Sequence, residues 1–322
     1  MSKRKFLLFL VFGGLIFGIF LIFSYKKLSF SSVKNFKYSF NQFSPTSSPT
    51  KLPIITLIAV GDVMLGRTIN YHSVKNNNFT WMWEKTVNEL RSADLTLINL
   101  ESPLVENCPV TTSGMIFCGD PKNIEGLKFA EIDLVNLANN HIANYGKKGI
   151  ENTINLLNGA NIVPIGTNTP VYKNIKGIKF AFLGYSDFAV PQEISQVKKE
   201  KIIQEIAQAK TQADIIIISF HWGEEYTNQP TSRQKELAYL AIDSGADLVI
   251  GHHPHWIQPE EFYKEKLIVY SLGNFIFDQF WSEKTTQGLL GKFIFEGKKL
   301  VSYQLIPIKI IPPGQPTLEN FP

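Results

Sequence analysis

The first 53 residues contain no acidic side chain, although eight of the chain's 32 Lys and Arg fall there. All 28 Asp and Glu lie beyond Pro53, so the formal charge of +4 averages two unlike regions, and the larger one is mildly acidic. That composition lacks the clustered basic face of a nucleic-acid-binding domain, so no nucleic-acid partner is expected. No repeat of roughly 20 to 50 residues runs through the chain, which argues against solenoids and propellers. Cysteine is scarce as well: Cys108 and Cys118 are the whole complement. What is present, 44% hydrophobic and 12% aromatic residues over 322 positions, suffices for one large or two modest cores and is unlike a disordered chain.

The basic N-terminus surrounds an apolar run. Phe6 to Phe23 carries no polar side chain. With Ser24 and Tyr25 it reaches about 20 residues, enough at about 1.5 Å each to cross a hydrocarbon core of roughly 30 Å. A cleaved signal peptide is the competing reading, but the run outlasts a usual signal core, meets Lys26 and Lys27, and offers no small-residue cleavage site. The expected organisation is a cytoplasmic tail over 1–5, a transmembrane anchor over 6–25, a flexible tether over 26–53 and a globular domain over 54–322. The tether, rich in Ser, Phe, Lys, Asn and Pro, would span about 25 to 30 Å as a random coil. Lysines flank the run on both sides, and the shortness of the N-terminal tail favours a single-pass cell-membrane protein with its domain outside. Cys108 and Cys118 bracket a short polar loop, and in an exported domain such a pair predicts a disulfide.

From Ile54 onward, helical stretches are predicted at Thr80–Arg91, Lys147–Leu157, Val197–Gln212 and Ser232–Ser244, alternating with short apolar strands. Lys266–Phe277, Gly288–Glu296 and Leu300–Ile311 read as consecutive strands, the last two joined by a tight turn at EGKK. An α/β part followed by an antiparallel part suggests stacked sheets flanked by helices.

Five of the six histidines follow apolar runs or stand in the polar segments that end them. TLIAV leads to Gly61 and Asp62, LTLIN to Glu101, LVNLA to Asn139, Asn140 and His141, IIIISF to His221, and DLVI to Gly251, His252, His253, Pro254 and His255. Only His72 stands apart. Strands buried on both faces read as continuous Val/Ile/Leu runs, and the carboxyl ends of parallel strands converge on one crevice. Asp, Glu, Asn and His delivered to one place suit one or two ions of Mn, Zn or Fe rather than Ca. Each residue has a plainer reading: Asp62 as a helix cap, Glu101 as a solvated loop acid, Asn139 as a turn former. For Asn139 the plainer one is preferred.

The segments GDVMLGR, NLESPL, NLANNHIANYG, HWGEEY, and GHHPHW followed by YSLGNFIFDQ together resemble the CapA family of capsule, or poly-γ-glutamate, synthesis proteins, over roughly Ile55 to Gln279. That family is a branch of the calcineurin-like metallophosphoesterase superfamily. The resemblance implies a four-layer α/β/β/α sandwich, and an extracytoplasmic, membrane-tethered role with an anionic surface polymer and a membrane synthase or export complex as partners. It implies Asp62, Glu101, Asn140, His221, His253 and His255 as metal ligands, with His252 a rival for one place. His141 takes the role of the histidine that protonates a leaving oxygen. One departure stands out: the ordinary first motif is Asp-x-His, and here Met64 follows Asp62, a thioether being a poor ligand for a hard ion. Trp222, Tyr226 and Trp256 are candidate walls of a substrate site, Arg67 a candidate anion contact, and Asn274 and Asp278 candidate supporting groups. Two functions fit: a metal-dependent hydrolase or transferase acting on a surface polymer, or a polymer-binding module without turnover.

Overall fold

The computed structural model describes residues 51–319. The expected tail over 1–5, the expected anchor over 6–25 and nearly all of the expected tether over 26–53 lie outside the described residues. Among the described residues, no helix is long and apolar enough to cross a membrane.

In chain order the elements are β1 (Ile54–Val63), α1 (Arg67–Asn76), α2 (Val87–Leu90), β2 (Leu95–Leu100), α3 (Asn123–Phe129), β3 (Leu134–Asn136), α4 (Gly146–Gly159), β4 (Val163–Ile165), β5 (Val171–Ile175) and β6 (Ile178–Ser186). There follow α5 (Lys199–Lys210), β7 (Ile215–His221), α6 (Ser232–Ser244), β8 (Leu248–His252), β9 (Ile257–Tyr263), β10 (Lys266–Leu272), β11 (Asn274–Ile276), β12 (Gln287–Glu296), β13 (Lys299–Ile311) and β14 (Gln315–Leu318). The first sheet runs β14-β13-β12-β1-β2-β3-β4, with β11 also paired to β1, and the second runs β5-β6-β7-β8-β10-β9. Strands β1 to β4 are mutually parallel, as are β6, β7, β8 and β10, while β12 to β14 form the antiparallel end.

The continuous apolar runs are explained by burial on both faces. Along β1, Ile55, Leu57 and Ala59 pack between the sheets with Phe180 and Phe182 of β6 and Ile215 and Ile217 of β7. The alternate residues Ile58 and Val60 face a second cluster with Leu127, Ile150 and Leu157 of α3 and α4. On the far side, Ile216 and Ile218 of β7 meet Ile202 and Ile206 of α5 and Leu237 and Ala238 of α6. Helices therefore cover the outer face of each sheet.

Two expected elements differ. Thr80–Arg91 is no single helix: a 3-10 turn at Trp81–Trp83 precedes the short α2. Met82 and Trp83, adjacent in sequence, are both fully buried, a demand that one stripe of an amphipathic helix does not meet. Lys266–Phe277 is two strands in different sheets, divided at Gly273, whose φ of 67° suits glycine. Gly61 permits the close approach that results, since a Cβ there would lie 2.3 Å from the Gly273 carbonyl oxygen. The Asp62 N–H then donates to that oxygen at 2.9 Å, and Asp62 stands in register with Asn274.

Candidate metal centre

The carboxyl ends of β1, β2, β3, β7 and β8 bring Asp62, Glu101, Asn140, His141, His221 and His252 together, and the turn after β8 adds His253 and His255. That turn is unusual: His253 and His255 have φ of 98° and 57°, in the left-handed region that L side chains rarely adopt. It aims the His253 N–H at Asp62 Oδ2, 3.1 Å away, and places His255 Nδ1 3.2 Å from the same oxygen.

Glu101 is the centre of the cluster. It is fully buried, and neither carboxylate oxygen has a hydrogen-bond partner. Around Oε1 stand three imidazole nitrogens, Nε2 of His221, His255 and His141, at 3.7, 3.8 and 3.9 Å. These separations are too long for hydrogen bonds. Ligands about 2.1 Å from a common ion stand roughly 3 to 3.5 Å apart, so these nitrogens need to close on Oε1 by only a few tenths of an ångström to share a cation with it. Donor atoms of Glu101, His253 and His255 all lie within 4.8 Å of one another. The His221 Nε2 atom lies 2.9 Å from Asn140 Oδ1 and 3.1 Å from His253 Nδ1. His252 is buried with both ring nitrogens unpartnered, Nδ1 being 3.5 Å from Asp62 Oδ1. A buried carboxylate without donors and a histidine without acceptors cost stability as they stand. A divalent ion would meet those needs, so the residues fit a metal.

The electrostatics follow from burial. Burial raises the Glu101 carboxyl well above the usual carboxylate range. Burial pushes Asp62 the same way, but His252 and His255 outweigh it and hold this carboxyl well below that range. Burial lowers His253 to about 3, His221 well below the usual imidazole range, and His141 below it. His255 differs: burial would lower it too, but Glu101 and Asp62 raise it to about 9.

Support for these groups comes partly from residues that the sequence reading passed over. Asn99 Nδ2 donates to Asp62 Oδ1 at 2.8 Å and lies 3.2 Å from His221 Nδ1, while Asn99 Oδ1 accepts from Asn136 at 3.0 Å. The signal was an amide near the carboxyl end of each of two mostly apolar strands. Asn139 is structural as expected, its Oδ1 accepting the N–H groups of His141 and Ile142. Asn274 Oδ1 meets His255 Nδ1 at 2.9 Å. Asp278 supports no histidine; it pairs with Arg67 and accepts the Thr68 N–H. The Arg67 guanidinium is thus engaged, and it lies over Phe117, 4.6 Å from the ring centroid. Trp222 is no wall of the site either: it is buried in the cluster beneath α6, its indole N–H donating to the Tyr270 carbonyl. Tyr226 remains near, its ring 6.0 Å from that of His255, and Trp256 lies beside Tyr226. Met64 packs with Phe117, Phe277 and Ile310, and its sulfur accepts the Gly66 N–H at 3.0 Å. Those two phenylalanines touch His141 and His255, so Met64 supports the wall behind the histidines.

Residues 56–279 match the family described as bacterial capsule synthesis protein PGA_cap. Capsule biosynthesis protein CapA of Bacillus anthracis is 30% identical over 279 residues, which are 80% of this chain and 67% of that protein. PGA biosynthesis protein CapA of Bacillus subtilis (strain 168) is 30% identical over 276 residues, 80% of this chain and 72% of that protein. Among solved structures, a hypothetical protein from Thermus thermophilus superposes with a TM-score of 0.54 at 15% identity, over 79% of this chain and 99% of the other, a likeness of fold alone.

Proposed function

We propose that this protein, which belongs to the bacterial capsule synthesis PGA_cap family, works at the outer side of the cell membrane. There it helps to make, export or retain an anionic capsule polymer, poly-γ-glutamate or a similar chain, through a metal-dependent hydrolase or transferase site. The observation that carries the catalytic reading is Glu101, a buried carboxylate with no hydrogen-bond donor, faced by three imidazole nitrogens at 3.7 to 3.9 Å. Asp62, Glu101, Asn140, His221, His253 and His255 would hold one or two ions of Mn, Zn or Fe, with His252 in reserve beside Asp62. Such an ion supplies a Lewis acid and brings the pKa of water toward neutrality.

The chain's own residues supply the rest. Asn99 and Asn274 orient Asp62 and His255, as groups behind metal ligands commonly do. His141 stands at the margin of the cluster, 9% exposed, where it can exchange a proton with solvent and pass it to a departing oxygen. Phe117, Phe188 and Phe277 pack against His141, His253 and His255 and limit water beside them. The apolar run at 6–23 would keep the domain beside a membrane synthase or export complex.

A second reading is favoured by Met64, which fills the place of a usual ligand with an apolar prop: a metal-containing module that binds the polymer without cleaving it. A panel of phosphomonoesters, phosphodiesters and γ-glutamyl amides and esters, assayed with Mn, Zn or Fe, separates the two. Hydrolysis that disappears in His221→Ala supports the enzyme. Retained metal and polymer binding with no turnover on any substrate supports the module.

A further inference from the structure

Phe117, next to the bridged Cys118, reaches His141 in two ways. Its ring stacks on the imidazole with centroids 4.0 Å apart. Its backbone N–H donates at 2.7 Å to Asn144 Oδ1, the atom that also faces His141 Nδ1 at 3.1 Å. A backbone N–H can only donate, so the Asn144 atom must be the oxygen, and that oxygen takes its second hydrogen bond from Nδ1–H. The neutral ring is therefore the Nδ1–H tautomer, with Nε2 bare and 3.9 Å from Glu101 Oε1. Phe117 packs with Met64, Phe277 and Ile310, while the loop before it is open to solvent. Val110, Met115 and Ile116 are at least half exposed, whereas Phe117 is 2% exposed. That loop is tied by the Cys108–Cys118 bridge, by the Thr68 hydroxyl at the Thr112 carbonyl, and by Arg67, which donates to the Gly114 carbonyl and covers the outer face of the Phe117 platform.

We propose that Asn144 and Phe117 are positioning residues for His141, and that the Cys108–Cys118 bridge keeps Phe117 in place for that task. Opening the bridge then frees the imidazole while leaving the metal ligands where they are. This rests on the reading of His141 as the proton-transfer group, so one readout must be independent of turnover.

The full-length protein is compared with Asn144→Ala, Asn144→Asp, Phe117→Leu and the Cys108→Ser/Cys118→Ser pair, with metal content and melting recorded for each. Nitrogen NMR of the metal-free wild type is expected to show His141 Nδ1 protonated and Nε2 unprotonated. Asn144→Ala and the cysteine pair should show a mixture of tautomers, Phe117→Leu, which keeps the backbone N–H but loses the stacked ring, should shift the imidazole signals, and Asn144→Asp, which keeps the acceptor, should retain the single tautomer. Turnover of phosphodiesters with poor leaving groups should fall about 10- to 100-fold in Asn144→Ala, the usual loss for a supporting group. Good leaving groups, which need no proton, should be nearly spared. If the cysteine pair fails to fold, Phe117→Leu and wild type reduced with a phosphine carry the same comparison. Unchanged imidazole shifts in Phe117→Leu and in the opened loop overturn the proposal. A wild type that hydrolyses nothing removes the catalytic reading, and the nitrogen shifts still decide the positioning.

Discussion

At Glu101 and Asp62, two carboxyls in one buried cluster are driven apart, the first upward by burial and the second downward by His252 and His255 against its own burial. With His255 raised to about 9, the metal-free cluster keeps a proton at neutral pH. A cation needs that proton gone. Metal loading at pH 7 to 8 is therefore expected to release about one proton and to tighten as pH rises, which calorimetry in two buffers of different ionisation enthalpy will read. Stability of the metal-free protein has two signs. The His255 contribution is complete below about 6.5 and is lost as pH rises through about 9. His253, lowered to about 3, takes up its proton more readily in the unfolded chain, so stability falls as pH drops from about 6.5 toward 3. Urea titrations across this range should show both slopes. The histidines and carboxylates were legible in the sequence because each ends or follows an apolar run. Asn99 and Asn136 were not, because an amide within a strand carries no mark of which partner it will meet across the sheet. The place of Trp222 was equally hidden, as it depends on α6 packing over β7 and β8.

The strands that carry the ligands were readable as elements, since burial on both faces leaves unbroken apolar runs. Their distribution between two sheets was not. Lys266–Phe277 reads as one strand because both halves are apolar, and only the conformation at Gly273 sends β11 back to β1 beside Asp62. Gly61→Ala would collide with the Gly273 carbonyl. It is expected to shift Asp62 and lower metal content while leaving the second sheet folded, as metal analysis and amide exchange would show. The 223–230 loop depends on α6: Thr231 and Gln234 form a capping box, and Gln234 also donates to Gln258. Thr231→Ala should cost about 1 kcal/mol in denaturant unfolding. Gln234→Ala should cost more, since the buried Gln258 carbonyl oxygen would lose its donor.

Across the whole molecule, charge and hydropathy divide at about residue 53, basic and apolar before it, mildly acidic after. The anchor reading predicts that Phe6 to Tyr25 stays uncleaved and that the domain is open to protease added to intact cells. A soluble product starting near residue 28, or protection of the domain, would contradict it. Strand ends distant in sequence meet at Glu101, where they would hold one metal centre. Its most direct test is metal content per chain, by plasma mass spectrometry, of the wild type and the His221→Ala, His253→Ala and His72→Ala variants. His72 lies on α1 against Tyr71 and Trp81, apart from the cluster. Wild type and His72→Ala should retain metal, and His221→Ala and His253→Ala should lose most of it, because one missing ligand leaves the coordination incomplete. Equal metal content in all four proteins, or none in the wild type after loading with Mn, Zn or Fe, would contradict the account.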